Sequence, residues 1–178
     1  MTSSLDRNQW LAIGLLVIIV AAMRLLPHPD NVTPIGALGL FAGAVLPTRA
    51  AWLLPVAALL IGDAFTGFYE LPAMALVYLG FAGSAVIGRV LLARSRTVSR
   101  VAGSALCSAL FFFVVSNFAA WLLYYPPTWA GLVECYVAAI PYFGHSLFGD
   151  ALYTALLFSA WAFFQRYHAA ASREAPAR

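Results

Sequence analysis

The sequence predicts an all-α integral membrane protein built from six transmembrane helical segments. Three observations carry that expectation. The 178-residue chain is 63% hydrophobic and only 10% charged, where a soluble domain carries about a quarter charged residues. Long apolar stretches alternate with short polar gaps, and no low-complexity tract or internal repeat interrupts them. All ten of its basic residues are arginines, and nine of them fall in alternate gaps.

The first apolar stretch runs from Trp10 to Leu26. It meets Met23-Arg24 without a small-x-small cleavage site, and more spans follow, so it reads as an uncleaved helix. An apolar hairpin comes next: Pro34 to Leu46, the turn Pro47-Thr48-Arg49, then Ala50 to Gly62. Each arm has about 13 residues, roughly 20 Å of helix, which falls short of a hydrocarbon core about 30 Å thick. The pair is therefore either two short, protein-packed helices or a re-entrant hairpin. The fourth stretch runs from Leu71 to Leu92, the fifth from Val101 to Leu123 and the sixth from Ala138 to Phe164. Each of these is long enough to span with some tilt. Residues 1–168 form a single membrane domain, and 169–178 read as a disordered cytoplasmic tail.

Small residues spaced four apart predict where helices touch. Gly39 and Gly43 form one such ladder, and Gly80, Ser84 and Gly88 another. In lipid, where apolar burial drives nothing, close backbone approach is the main source of attraction.

Charge sets the orientation. Six spans with both termini cytoplasmic place Arg7, Arg49, Arg89, Arg94, Arg96, Arg100, Arg166, Arg173 and Arg178 inside and leave Arg24 alone outside. The reverse arrangement would break the positive-inside rule nine times, so the expected setting is a bacterial inner membrane with the working face outwards. The arginines are topology determinants, and no basic run interleaved with aromatics suggests a nucleic-acid surface. Cys107 falls in an apolar stretch, where it reads as core, and Cys135 in a polar gap, too far apart in depth for a disulfide.

The outer gaps gather the polar chemistry. Arg24 breaks the arginine rule, which points to a cation facing an external cavity, paired with Asp63 or Asp150 or meeting a substrate anion. Three prolines between Pro27 and Pro34 make a stiff loop that holds His28 and Asn31 over a pocket. Asp150 lies about a dozen residues into the sixth stretch, and a carboxylate that deep must pair, accept hydrogen bonds or become protonated. Ser146, Asp150, Tyr153 and Thr154 share one helical face, as do Asn117 and Trp121. Trp121 and Tyr136 are expected to stack on a planar group. Cys135, His28 and His145 follow no metal-ligand spacing, so neither metal nor cofactor is expected. No HExxH, GxSxG or phosphate-cradling glycine loop occurs, which argues against an enzyme and against ATP hydrolysis by this chain.

Two stretches carry a family likeness. Arg24-Leu25-Leu26-Pro27-His28-Pro29-Asp30-Asn31-Val32-Thr33-Pro34-Ile35-Gly36-Ala37 resembles the R-x-x-P-H-P-x-N-x-x-P-I-x-A signature of an uncharacterised bacterial family of transport proteins. Ser116-Asn117-Phe118 with Trp121, then Cys135-Tyr136 through Pro141-Tyr142-Phe143, then Gly149-Asp150 with Tyr153, resembles its second half. That family is similar to the S components of energy-coupling-factor (ECF) vitamin transporters, six-helix proteins that bind a vitamin from outside. The resemblance implies an S-component-like bundle. This chain lacks the alanine-x-x-x-alanine motif in its first span by which many S components dock their partner, so action with an ECF-type module and solitary action both stay open. One branch of S-like proteins takes up cobalamin alone and uses a cysteine near the cobalt, a role that the resemblance makes conceivable for Cys135.

The expected function is binding and uptake of a small, vitamin-like nutrient from the outer side of the bilayer. The expected site draws on Arg24, His28, Asn31, Asp63, Asn117 and Trp121 from the first five segments, with Cys135, Tyr136, His145, Asp150 and Tyr153 from the sixth. The competing expectation is a membrane scaffold or accessory subunit in which those polar groups satisfy one another.

Overall fold

A short helix at the centre organises the rest. In a computed structural model that describes residues 7–27, 29, 31–46 and 49–174, helix α2 (Ile35–Val45) is buried from Ile35 through Ala44. A helix apolar on every side has no solvent face to offer and must be enclosed. Around it lie α1 (Arg7–Met23), α3 (Leu53–Thr66), α4 (Leu71–Leu92), α5 (Val98–Tyr124) and α6 (Trp129–Glu174), with a single turn of tighter helix at Arg49–Trp52 before α3. No strand occurs among the described residues.

Local chemistry sets the ends of these helices. α2 starts after Pro34, whose carbonyl accepts from the Leu38 N–H at 2.9 Å, and it stops at Leu46, which is extended and precedes Pro47. α3 stops at Gly67, whose φ of 104° is open to glycine but strained for other residues. Pro72 in the first turn of α4 removes only an N–H that has no helical partner there.

Glycines make the contact between α2 and α4. A Cβ on Gly43 would collide with the Ala85 carbonyl, one on Gly88 with the Leu40 carbonyl and one on Gly39 with the Ser84 side chain. The two small-residue ladders therefore interlock. On the next layer Gly80 and Gly83 receive the rings of Phe112 and Phe111 from α5, and Phe81 stacks on Phe112 at 4.2 Å between centroids. Phe41 of α2 meets Phe158 and Trp161 of α6 edge-on. A core of Val20, Ala21, Ile35, Leu38, Ala58, Leu59 and Phe81 joins α1, α2, α3 and α4.

Outside this core the helices are greasy. Leu79, Val86 and Val90 of α4, Leu110 and Val114 of α5 and Leu156 and Phe163 of α6 are all exposed. An apolar exterior of this extent marks a lipid-facing or partner-facing surface. Three helices, Leu71–Leu92, Val98–Tyr124 and the 129–167 part of α6, are long and apolar enough to cross a membrane; α1, α2 and α3 are shorter.

Of the two readings of residues 34–62, the structure has two short helices, with α2 enclosed by protein. Three expectations change. α6 begins at Trp129 rather than near residue 138, because the Thr128 hydroxyl accepts the Gly131 N–H at 3.1 Å and caps its first turn. It also continues to Glu174 across the expected disordered tail, of which residues 169–174 are helical. Alanine at 169, 170 and 171 propagates the helix, and no proline interrupts before Pro176. Cys107 is exposed on α5 rather than in the core.

The interlocked ladders give a direct test. Gly43→Leu should destabilise the protein by about 1–3 kcal/mol or more, since backbone must move to admit the side chain. Gly103→Leu, with nothing within 4 Å of its Cβ position, should be close to neutral. Thermal unfolding in detergent distinguishes them, and equal melting temperatures would contradict the α2–α4 contact.

Candidate functional site

The turn after α1 puts Arg24 against α3. Its guanidinium donates to Asp63 Oδ1 at 2.5 Å, and its side chain fills the space that a Cβ on Gly62 would take. Asp63 is 1% exposed and Arg24 21%. Tyr78 of α4 donates its phenolic hydroxyl to Asp63 Oδ2 at 2.8 Å, so both carboxylate oxygens are occupied. This cluster ties the end of α1 to α3 and α4 beside the apolar core. Beside it, in the loop before α4, partial burial and the Asp63 charge push the Tyr69 phenol up to about 12. Glu70 next to it accepts from the Tyr124 hydroxyl at 2.8 Å; bonds from its own backbone N–H and from Tyr124 hold its carboxyl below the usual range.

Next to the ion pair opens a cavity of about 510 Å³. Arg24, Asn31 and Thr33 border it on the loop side, and Asp150 and Ser146 of α6 on the other. Its walls are aromatic, from Phe81, Phe112, Phe113, Tyr142 and Phe143. Asn31 sits in the left-handed region at φ 63°, a conformation that asparagine tolerates better than most residues. Asn117 lines the wall and donates its amide N–H to the Phe113 carbonyl at 2.8 Å.

Asp150 is the site's unpaired carboxyl group. It is 7% exposed and makes no hydrogen bond or ion pair among the described residues, while Arg24 is already engaged by Asp63. Its carboxylate lies against Gly36, where any Cβ would strike Oδ1. That is the first turn of α2, the end at which a helix favours negative charge. One turn on, the Thr154 hydroxyl is buried without a partner among the described residues.

The eleven expected site residues divide into groups. Arg24, Asn31, Asn117 and Asp150 border the cavity. Asp63 stands behind Arg24 and orients it. His28 lies outside the described residues. The others are placed elsewhere. Trp121 donates its indole N–H to the Pro126 carbonyl at 3.1 Å and so fastens the turn between α5 and α6. Cys135 is buried behind the wall, its thiol 3.4 Å from the Asn117 carbonyl, and Tyr136 donates to the Val114 carbonyl at 2.7 Å. His145 is exposed beside Tyr142, and Tyr153 lies off the cavity. No group of three histidine, cysteine or acidic side chains among the described residues could hold a metal.

A family model matches residues 4–172, that of DUF6580, a family of unknown function. The chain belongs to the DUF6580 family. No curated protein and no solved structure matches it. The DUF6580 match spans every wall of the cavity, from Arg24 to Asp150. Within it, residue-by-residue reading missed the phenylalanines. Phe111-Phe112-Phe113 looks like ordinary span sequence, and only its packing against Gly80 and Gly83 and its reach to α6 reveal a wall. Ser146 was legible, since it stands four residues before Asp150 on one face.

The ion pair predicts an asymmetric mutational response. Asp63→Asn leaves Arg24 without its counter-charge and should cost about 3–5 kcal/mol of stability. Tyr78→Phe removes one hydrogen bond and should cost about 1 kcal/mol. Chemical unfolding in mixed micelles measures both, and a larger loss for Tyr78→Phe would reverse the assignment.

Proposed function

We propose that this DUF6580 protein binds a small nutrient from the outer face of the bacterial inner membrane and mediates its uptake. In this reading six segments lie in the membrane with both termini cytoplasmic, as the distribution of the arginines favours. The cavity then faces outwards, and its size falls within the 300–1,000 Å³ typical of small-molecule sites.

The observation that carries the reading is Asp150. A scaffold would pair its buried polar groups with one another, whereas this carboxylate faces a cavity with no protein partner among the described residues. A buried charge without a partner is costly, and a ligand that supplies a cation or strong hydrogen-bond donors removes that cost. The aromatic walls suit the same ligand, since ring faces attract cations, more strongly once desolvated. The substrate class is therefore a small organic cation or an amine-bearing ring. Arg24, already neutralised by Asp63, orients the ligand's polar edge but does not call for an anion.

Ligand-induced thermal stabilisation tests this. Choline, N-methylpyridinium and benzoate would be titrated against the detergent-solubilised protein. A cation at 100 times its Kd should add about 2.7 kcal/mol of stability, visible as a rise of several degrees, and benzoate should add none. Asp150→Asn should abolish the response to cations. Stabilisation by benzoate alone, or an unchanged cation response in Asp150→Asn, refutes the assignment.

A further inference from the structure

At the opposite end of α2 lies a second and larger cavity, of about 1390 Å³. Four guanidinium groups border it: Arg89 from α4, Arg94 and Arg96 from the α4–α5 connection, and Arg166 from α6. Among the described residues no aspartate or glutamate lines it. Two of the four have structural duties, since Arg89 donates to the Leu46 carbonyl at 3.3 Å and Arg96 to the Ala44 carbonyl. Arg94 and Arg166 are exposed and make no hydrogen bond or ion pair among the described residues.

The remaining walls are mostly apolar, with Thr154, Ser159 and Gln165 as the polar exceptions. Val98, Val101 and Leu106 of α5 face Ala155, Phe158 and Trp161 of α6 across the cavity. It runs along α6 from Leu147 to Arg166, about 28 Å at 1.5 Å per residue. That length is close to a full hydrocarbon core of about 30 Å, room enough for an acyl chain that starts at the arginine end. A soluble anion would use the arginine end and leave the rest of the cavity, between two membrane-length helices, to be filled by something apolar. An amphiphile matches both halves at once.

We propose that this cavity is a binding site for an anionic glycerophospholipid of the arginine-side leaflet. Its phosphate sits among Arg89, Arg94, Arg96 and Arg166, and an acyl chain lies between α5 and α6 towards Thr154. Basic recesses between membrane helices hold anionic headgroups by charge and hydrogen bonding together. The lipid also bridges α4, α5 and α6 at the arginine end of the molecule. The site is independent of the uptake reading and stands or falls by its own measurement.

Native mass spectrometry of the full chain, released from detergent with phosphatidylglycerol or phosphatidylcholine of identical acyl chains, tests the proposal. Phosphatidylglycerol should be retained at least tenfold better. Arg94→Gln/Arg166→Gln should remove that preference, since each juxtamembrane charge contributes about fivefold. Those two positions are chosen because they leave the Arg89 and Arg96 bonds to α2 intact. Ala155→Phe, which fills the apolar half, should weaken retention of phosphatidylglycerol with all arginines present, and it covers the case in which the double variant does not fold. Equal retention of the two lipids overturns the proposal, as does full competition by millimolar inorganic phosphate, which would make this a site for soluble phosphate compounds. Retention unaffected by any of these substitutions overturns it too.

Discussion

Both ends of α2 are the constraint on which the molecule depends. Eleven residues make a helix of about 16 Å, half the thickness of a hydrocarbon core, and this helix is the most enclosed element of the fold. Its first N–H groups and last carbonyls have no partner within the helix, and unsatisfied backbone groups in an apolar setting each cost several kcal/mol. Other helices supply what α2 lacks. Arg89 and Arg96 donate to its final carbonyls, and the Asp150 carboxylate lies at its first turn. Negative charge at the start and positive charge at the end also complement the helix dipole.

The two cavities follow from the same geometry. A helix too short to fill the bundle leaves space beyond each terminus, and the groups that serve the terminus become the lining. At the start of α2 that lining is a carboxylate with aromatic walls; at the end it is arginine with mixed aliphatic and aromatic walls. The interlocked glycines of α2 and α4 hold this helix close enough for its terminal groups to be reached. Asymmetry of charge across the molecule is thus both a topological signal and the chemistry of its two recesses.

Legibility was uneven for physical reasons. The bounds of α4 and the glycine ladders were readable, because an apolar run bounded by Pro72 and the 93–97 gap, or a four-residue spacing, is a local property. Arg24 stood out as a cation in the wrong gap, but only its position against Gly62 decides that Asp63, and not Asp150 or a ligand, neutralises it. Trp121 and Tyr136 read as stacking groups because aromatics beside polar residues often are. Their hydrogen bonds to the Pro126 and Val114 carbonyls depend on how the turn between α5 and α6 closes. Cys107 followed the bias of composition, since apolar stretches in a membrane protein face outwards as readily as inwards.

By itself the sequence determined that the chain is all-helical and apolar outside, which end carries its arginines, and that Asp150 stands deep in an apolar helix. These are properties of composition and of one helix at a time. Tertiary structure decided which helix is enclosed, that Arg24 is neutralised within the protein while Asp150 is left unpaired, and that two plain phenylalanines of α5 become a wall. Pairing of charges and the space beyond a short helix depend on distances between segments, and those are set by packing rather than by any stretch of chain alone.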